Sequence, residues 1–418
     1  MRASCVRIIV CMALLGVAGV ARADDWMDNL DEALRVSFFK GAVTAELSGL
    51  MDFEGYYIQQ PALAFYKEGG NYLLNPRLTM NLDAQITPAI YAFVEARVDR
   101  GFDPSDRNLE TRLDQYAISY KPSSEIPFQI EAGKFASVVG TYSERYDSWT
   151  NPFINAPLPY ENLTGVYDRS VPISAAQFVT WRYETDDAYE RIPIMWGPSY
   201  ASGIALFGQL GDQVDLAAEV KNASISSRPG SWNLNSEGLD HPTWSGHADW
   251  RPSPTWRFGL SGSIGPYILP NPDFDGVSSS MPVIPTGRTI YDYDQSTVAQ
   301  DVTFEWHHWQ LWAECFESRF DVPRVGNADT LAYYIEAKYK FAPQLFGALR
   351  WNEQLFSSIP IGDGQSDVWG NDIWRIDAAI TYRWTERVQT KLQYSFTDQN
   401  LPGAKQEHLV GGQLTVKY

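Results

Sequence analysis

The sequence predicts an all-β fold, a 16-stranded antiparallel transmembrane β-barrel with a long inward-folded third extracellular loop. Three observations point there. From residue 41 onward, successive segments alternate apolar and polar side chains with a period of two, so each presents one lipid-compatible face and one polar face. Their connections alternate between tight turns and longer polar loops. No run of ~18 apolar residues occurs beyond the N-terminus, which excludes a bundle of membrane-crossing helices. Composition agrees: aromatics are 14% of the 418 residues, with 15 Trp and 23 Tyr, yet the mean hydropathy is −0.29. Strands that are half apolar and half polar give that combination.

The chain opens with an export leader. Arg2 and Arg7 precede an apolar core from Ile8 to Val20, and Ala21-Arg22-Ala23 is a small-x-small cleavage site, so residues 1–23 are removed. Cys5 and Cys11 leave with the leader; Cys315 alone cannot form an internal disulfide. The net charge of −18 becomes −21 once Arg2, Arg7 and Arg22 are gone. So acidic a chain is a poor nucleic-acid binder, because neutralising phosphates takes Lys and Arg. In the N-terminal segment 24–40, Trp26, Leu30, Ala33 and Leu34 fall near a helical repeat, consistent with a short periplasmic helix or with an unstructured lead-in.

The barrel region spans 41–418. Val43, Ala45, Leu47, Met51 and Phe53 share one parity against Glu46, Ser48 and Asp52. Leu78, Met80 and Leu82 oppose Arg77, Asn81 and Asp83; after a Thr87-Pro88 turn, Ala92, Val94 and Val98 oppose Glu95 and Arg97. Tyr116, Ile118 and Tyr120, then Phe128, Ile130 and Ala132, supply the next two apolar faces. Lys134 breaks the pattern: strict alternation aims it at lipid, and a bulge at Gly133 would re-aim it. The alternation stops for 140–202 and resumes with Ile204, Leu206 and Leu210, then Val214, Leu216 and Val220. Trp244, Ala248 and Trp250 oppose His247, Asp249 and Arg251; Trp256, Phe258 and Leu260 follow on the next segment, opposite Arg257. Val298, Val302 and Phe304 oppose Asp301 and Glu305, and His307-His308 turns the chain into Trp309, Leu311 and Ala313. Leu331, Ile335 and Tyr339 oppose Glu336, Lys338 and Lys340; Leu345, Leu349 and Trp351 come next. Trp374, Ile376 and Ile380 oppose Arg375, Asp377 and Arg383, then come Val388, Leu392 and Tyr394, and finally Val410, Leu414, Val416 and Tyr418.

Tight turns near Pro88, Ser123, Asp212, Pro254, His307, Pro343 and Glu386 alternate with loops at roughly 58–74, 100–112, 140–202, 225–242, 266–295, 321–329, 357–371 and 398–406. Seven turns and eight loops join sixteen strands, with short connections on the periplasmic side and long ones outside. Tyr116, Tyr120, Trp244, Trp306, Trp309 and Trp384, at the ends of apolar faces, fit interfacial girdles. A soluble sandwich has no reason to arrange aromatics and loop lengths in this way.

The leader, the turn-and-loop rhythm, the outsized third loop and the terminal GGQLTVKY resemble a bacterial outer-membrane porin. EAGKF at 131–135, the Pro-rich loop after it and PSYASGIALFGQLG are loosely similar to the phosphate-selective-porin-like group. The resemblance implies an outer-membrane location in contact with lipid, a homotrimer, recognition of the C-terminal strand by the insertion machinery, and anion passage along arginine and lysine ladders. The acid-rich third loop departs from that last pattern.

Sixteen strands enclose a lumen too wide for side chains to fill, so the expected function is passive diffusion of small hydrophilic solutes or ions through a water-filled channel narrowed by 140–202. A plugged or partner-bound scaffold barrel of low conductance is the alternative. The candidate constriction residues are Glu144, Arg145, Asp147, Glu161, Asp168 and Arg169, and the candidate pore-wall residues are Arg77, Asp83, Glu95, Arg97, Arg251 and Arg257. Opposing charges across a narrow bore set up a transverse field that screens solutes by charge. Carboxylates in the loop, with Glu184, Asp186, Asp187 and Glu190 added, outnumber its arginines Arg145, Arg169, Arg182 and Arg191 twofold, which points to a mild cation preference or near neutrality. No enzyme, cofactor or metal is expected. Ser245 and His247 share a face without a nucleophile elbow, and the five histidines (241, 247, 307, 308 and 408) show no metal-ligand spacing. Asn271, Asp273 and Asp275 before Gly276 resemble the start of a calcium loop, but no Glu closes it.

Overall fold

The computed structural model describes residues 34–38, 41, 43–59, 70–100, 109–123, 126–183, 191–230, 238–274, 279–401 and 406–418. Sixteen strands form the wall: β1 (Val43–Ile58), β2 (Tyr72–Thr87), β3 (Ile90–Asp99), β4 (Glu110–Tyr120), β5 (Phe128–Phe135), β6 (Ala201–Leu210), β7 (Val214–Lys221), β8 (Thr243–Ser253), β9 (Trp256–Pro266), β10 (Asp294–Trp306), β11 (Trp309–Val322), β12 (Gly326–Ala342), β13 (Leu345–Phe356), β14 (Ile373–Arg383), β15 (Val388–Gln399) and β16 (Gln406–Lys417). Each pairs antiparallel with the next in sequence, and β16 closes on β1 with Met51 opposite Val416 and Phe53 opposite Leu414. Closure leaves no open edge, so backbone groups stay paired where no water can reach them.

Burial is inverted relative to a soluble protein. On β12, Ile335 is 56% exposed while its neighbour Glu336 is fully covered; on β13, Leu349 is 62% exposed beside Arg350 at 1%. An apolar outer face needs hydrocarbon as its solvent, and moving such a side chain out of water is favourable by about 1.5–3 kcal/mol. Trp244, Trp306, Trp309 and Tyr120 are exposed on that face, as expected of girdle residues.

Several local features differ from strict alternation. Residues 24–33 and the leader 1–23 lie outside the described residues, but Arg35–Phe38, within the segment read as a helix or lead-in, is a short strand paired with β1 from Val43 to Glu46. It occupies the β1 edge just past the end of β16, which meets β1 only from Leu50 onward. The connection placed at 321–329 shrinks to residues 323–325, because β11 and β12 stay paired up to Val322 and Gly326. Two helices lie between β5 and β6: α1 is Leu158–Glu161, and α2, Ala175–Thr180, runs on into a 3₁₀ turn at Trp181–Tyr183, so QFVTWRY at 177–183 is helical. Ser174 accepts from the Gln177 amide, and Gln177 accepts from the Ile173 amide through its side chain, so both ends of a capping-box-like pair are made. That local signal outweighs the β-propensity of Phe178 and Val179.

The pairing of β3 with β4 shifts between Glu95–Gln115 and Ala96–Leu113, leaving Asp114 as the extra residue of a bulge. At Lys134 the register does not slip. Gly133 alone turns the backbone, at φ +146°, and a Cβ there would collide with the Tyr116 carbonyl. Lys134 is consequently buried and donates to the carbonyls of Leu113, at 2.6 Å, and Gly230.

Candidate functional site

The polar parity of β1 to β4 builds two neighbouring groups of ion pairs, one around Arg77 and one around Arg97 and Arg112. Arg77 on β2 bridges Asp52, at 3.1 Å, and Glu54 on β1. Arg97 on β3 donates to Glu95 at 2.8 Å and forms an ion pair with Asp114 at 3.2 Å, and Arg112 on β4 holds Asp99 and Asp114. The two groups stand in a row because adjacent strands bring residues of one parity within reach, and the Asp114 bulge keeps both Arg112 and Asp114 on this face. Five carboxylates here meet three guanidinium groups, so the row carries an acidic excess. Sequence reading found Arg77, Glu95 and Arg97 but missed Glu54, Asp99, Arg112 and Asp114. Arg112 and Asp114 share the parity of Tyr116 and Ile118, and only the bulge separates them.

Residues 137–162 cross to the polar parity of the other strands. Ser137 donates to Glu219 of β7 at 2.7 Å, and the Gly140 amide to Ser261 of β9 at 3.1 Å. The Thr141 amide and hydroxyl both reach Glu314 of β11 at 2.6 Å. Arg145 spans Glu336 at 2.6 Å and the Tyr334 hydroxyl at 2.9 Å on β12, stacked over Trp312. On β13, Arg350 donates to Asn155 at 2.6 Å, Asn352 accepts from the Leu158 amide at 3.2 Å, and Gln354 accepts from Asn162 at 2.8 Å. Arg375 of β14 pairs with Glu161, and on β15 Gln389 and Lys391 donate to the Ser148 carbonyl while Gln393 accepts from the Ile154 amide at 2.6 Å. Tyr146 lies against Arg97 on the far side.

The same stretch carries its own apolar packing. Val166, Tyr167, Phe178, Val179, Trp181 and Ile192 cluster with Tyr267, Tyr293, Phe320 and Trp369, and a second cluster sets Val139, Tyr142, Tyr160, Ile194 and Met195 against Phe316 and Tyr334. Burial, together with the Glu314 carboxylate, pushes the Tyr160 phenol well above its ordinary range, so it keeps its proton and donates a hydrogen bond to Glu314. Burial also raises the Glu161 carboxyl, against the pull of Arg375.

The candidate residues do not form one constellation. Arg145 and Glu161 are wall anchors, as described. Glu144 is exposed and paired with Arg257 at 2.7 Å, and Arg257 also holds Asp249 at 2.7 Å. Asp147 accepts from the amides of Trp149 and Thr150 at 2.7 and 2.8 Å and so shapes a turn. Asp168 and Arg169 lie elsewhere: Ser170–Val171 pairs in parallel with Asp273–Phe274, and the carbonyls of Asp168 and Arg169 accept from the Leu269 and Asp273 amides. Asp83 accepts from the Tyr91 hydroxyl, and Arg251 pairs with Asp215 at the β7–β8 rim. Glu184, Asp186, Asp187 and Glu190 lie outside the described residues, as does Asp275.

Two cavities border this stretch. One, of about 110 Å³, is lined by Glu54, Arg77, Arg97, Asp99 and Arg112 on the wall and by Tyr142, Asn155, Glu161 and Trp196 opposite. The other, of about 600 Å³, is lined by Glu131, Ser137, Glu144, His247, Asp249 and Arg257. Ser245 bonds Ser263 at 3.1 Å, whereas His247 turns to Asp301 at 3.2 Å, so the two residues noted on one face take different partners.

A closed barrel of sixteen antiparallel strands, apolar outside and polar within the wall's other parity, defines the fold of the outer-membrane porins. Solved structures agree. The outer-membrane channel DcaP of Acinetobacter baumannii matches with a TM-score of 0.56 at 11% identity, over 92% of this chain and 100% of that one. The anion-selective porin of Comamonas acidovorans matches at 0.53 and 10%, over 90% and 100%. The trimer form of OmpT, an outer membrane protein of Vibrio cholerae, matches at 0.52 and 9%, over 90% and 100%. No protein-family model and no curated protein matches the sequence. At such identities the likeness is one of fold.

Proposed function

We propose that the protein is an outer-membrane porin, a passive channel for small hydrophilic solutes or ions whose bore is narrowed by residues 140–202 folded inward. The observation that carries this reading is the run of hydrogen bonds from residues 137–162 to the polar parity of β7, β9 and β11–β15, which is how a segment lying inside a barrel anchors to its wall. The 110 Å³ cavity beside the Arg77–Arg97–Arg112 row, large enough for a few waters, lies on the path we assign to solutes. The row's five carboxylates against three guanidinium groups favour cations mildly over anions, because low-dielectric walls focus the field of nearby charges. Glu144, Arg145 and Glu161 position the segment, Arg77, Glu95 and Arg97 screen solutes, and Arg251 and Asp83 sit nearer the mouth. The chain works as a homotrimer in the outer membrane, after export and loss of 1–23, and catalyses no reaction.

A salt-gradient reversal potential measured on the purified protein tests the selectivity: a potential of cation-selective sign supports it, and a clear chloride preference shows that the arginine row dominates. One observation favours the alternative of a plugged scaffold. Trp181, Phe178 and Trp369 are fully buried, so the outer part of the segment is packed as tightly as a protein core. Conductance decides between the two, since a plugged barrel conducts little.

A further inference from the structure

We infer that His247, Asp249 and Asp301 form a binding site for a single divalent transition-metal cation of the zinc type, open to the larger cavity. The three residues lie on two strands separated by β9. Asp249, Gly259 and Asp301 stand in one cross-strand row, and His247 stands one row further along β8. The glycine makes the arrangement work: a Cβ at 259 would collide with the Asp301 carboxylate, which leans across β9 into that space toward β8.

His247 Nε2 lies 3.2 Å from Asp301 Oδ2 and 3.5 Å from Asp249 Oδ1, and all three ligand atoms fall within 4.8 Å of one another. Ligands about 2.0 Å from a tetrahedral zinc are about 3.3 Å apart; both His247 distances match that spacing, and the two carboxylates have to close from at most 4.8 Å. An unmet demand is present as well. Asp301 Oδ1 and Asp249 Oδ1 are buried and have no hydrogen-bond partner, although Asp301 is only 2% exposed. Two carboxylates, each with a buried oxygen that accepts no hydrogen bond, face one imidazole, an unmet demand that a divalent cation would satisfy. Arg257 supplies part of it at Asp249 Oδ2 but is shared with Glu144. One nitrogen and two carboxylate oxygens suit zinc and its neighbours better than calcium, which prefers six to eight oxygens. His247 and Asp249 line the 600 Å³ cavity, which gives an ion its path and leaves the remaining coordination position to water. This site does not depend on whether the barrel conducts.

The test is calorimetric titration of the full-length protein, folded in detergent micelles and stripped with EDTA, with zinc chloride, alongside the absorption spectrum on adding cobalt(II). We expect one saturable equivalent, visible cobalt bands of a low-coordinate N/O site, and at least a tenfold loss of affinity in His247→Ala and in Asp301→Asn. His307→Ala/His308→Ala should bind as the parent does. Retention of heat-modifiable migration shows that each variant's barrel is intact; if Asp301→Asn fails to fold, His247→Ala and the parent's cobalt spectrum decide. The absence of saturable binding, or parent-like binding in His247→Ala, overturns the site.

Discussion

Arg145→Ala probes how the 140–202 segment is held to the wall. The guanidinium is buried, bonds Glu336 at 2.6 Å and the Tyr334 hydroxyl at 2.9 Å, and stacks 4.5 Å from the Trp312 ring. Removing one partner of a buried pair costs about 3–5 kcal/mol, chiefly because the other charge is left uncompensated. Here Arg350 stays 3.5 Å from the second Glu336 oxygen and recovers part of that, so about 3 kcal/mol is the fitting figure. That is roughly a 100- to 200-fold shift toward the undocked segment. The wall ladders do not include Arg145, so barrel melting should change little. Limited proteolysis within 140–202 and single-channel recording read the effect: faster cleavage, with more frequent open-state fluctuations. Arg145→Ala/Glu336→Gln should recover much of the loss, because a neutral amide needs no counter-ion. If Arg145→Ala is cleaved and gates like the parent, or if Glu336→Gln gives no rescue, the segment is not held by this pair.

Glu54→Gln/Asp99→Asn removes two carboxylates beside the 110 Å³ cavity and should move the reversal potential toward anions; an unchanged potential places the selective region elsewhere. Deleting Tyr418 should lower the heat-modifiable fraction recovered in the outer membrane, because its ring covers Gly49 and its backbone closes β16 onto β1; parent-like recovery would refute this. Gly133→Val meets both a left-side φ and the Tyr116 carbonyl, and should cost about 1–3 kcal/mol of barrel stability by thermal melting, whereas Gly211→Ala, in open space, should cost less.

The strand count was legible because each strand announces itself locally, through alternation over eight or more residues and a turn at its end. The His307-His308 hairpin, with Trp306 opposite Trp309, is a case read correctly from a few residues. What escaped depended on a single residue or on distance. Asp114 as a bulge hid Arg112, and Gly133 resolved Lys134 by its own torsion rather than by a register slip. The helix at 175–180 did carry a signal, the Ser174 and Gln177 pair, that the aromatic run obscured. Partners of the 140–202 segment could not be read at all: Arg145 and Glu336 are 191 residues apart, and nothing local relates them. His247 and Asp301 met for the same reason, through the register of three strands, whereas spacing among histidines alone gave no hint.

The central claim is that this barrel conducts through a water-filled bore, and single-channel recording of the purified protein in a planar lipid bilayer tests it most directly. Discrete, ohmic steps of small conductance with a mild cation preference are predicted, growing larger or noisier in Arg145→Ala. A heat-modifiable, correctly folded barrel that inserts yet passes no current above the bare bilayer, in the parent and in Arg145→Ala alike, would contradict it.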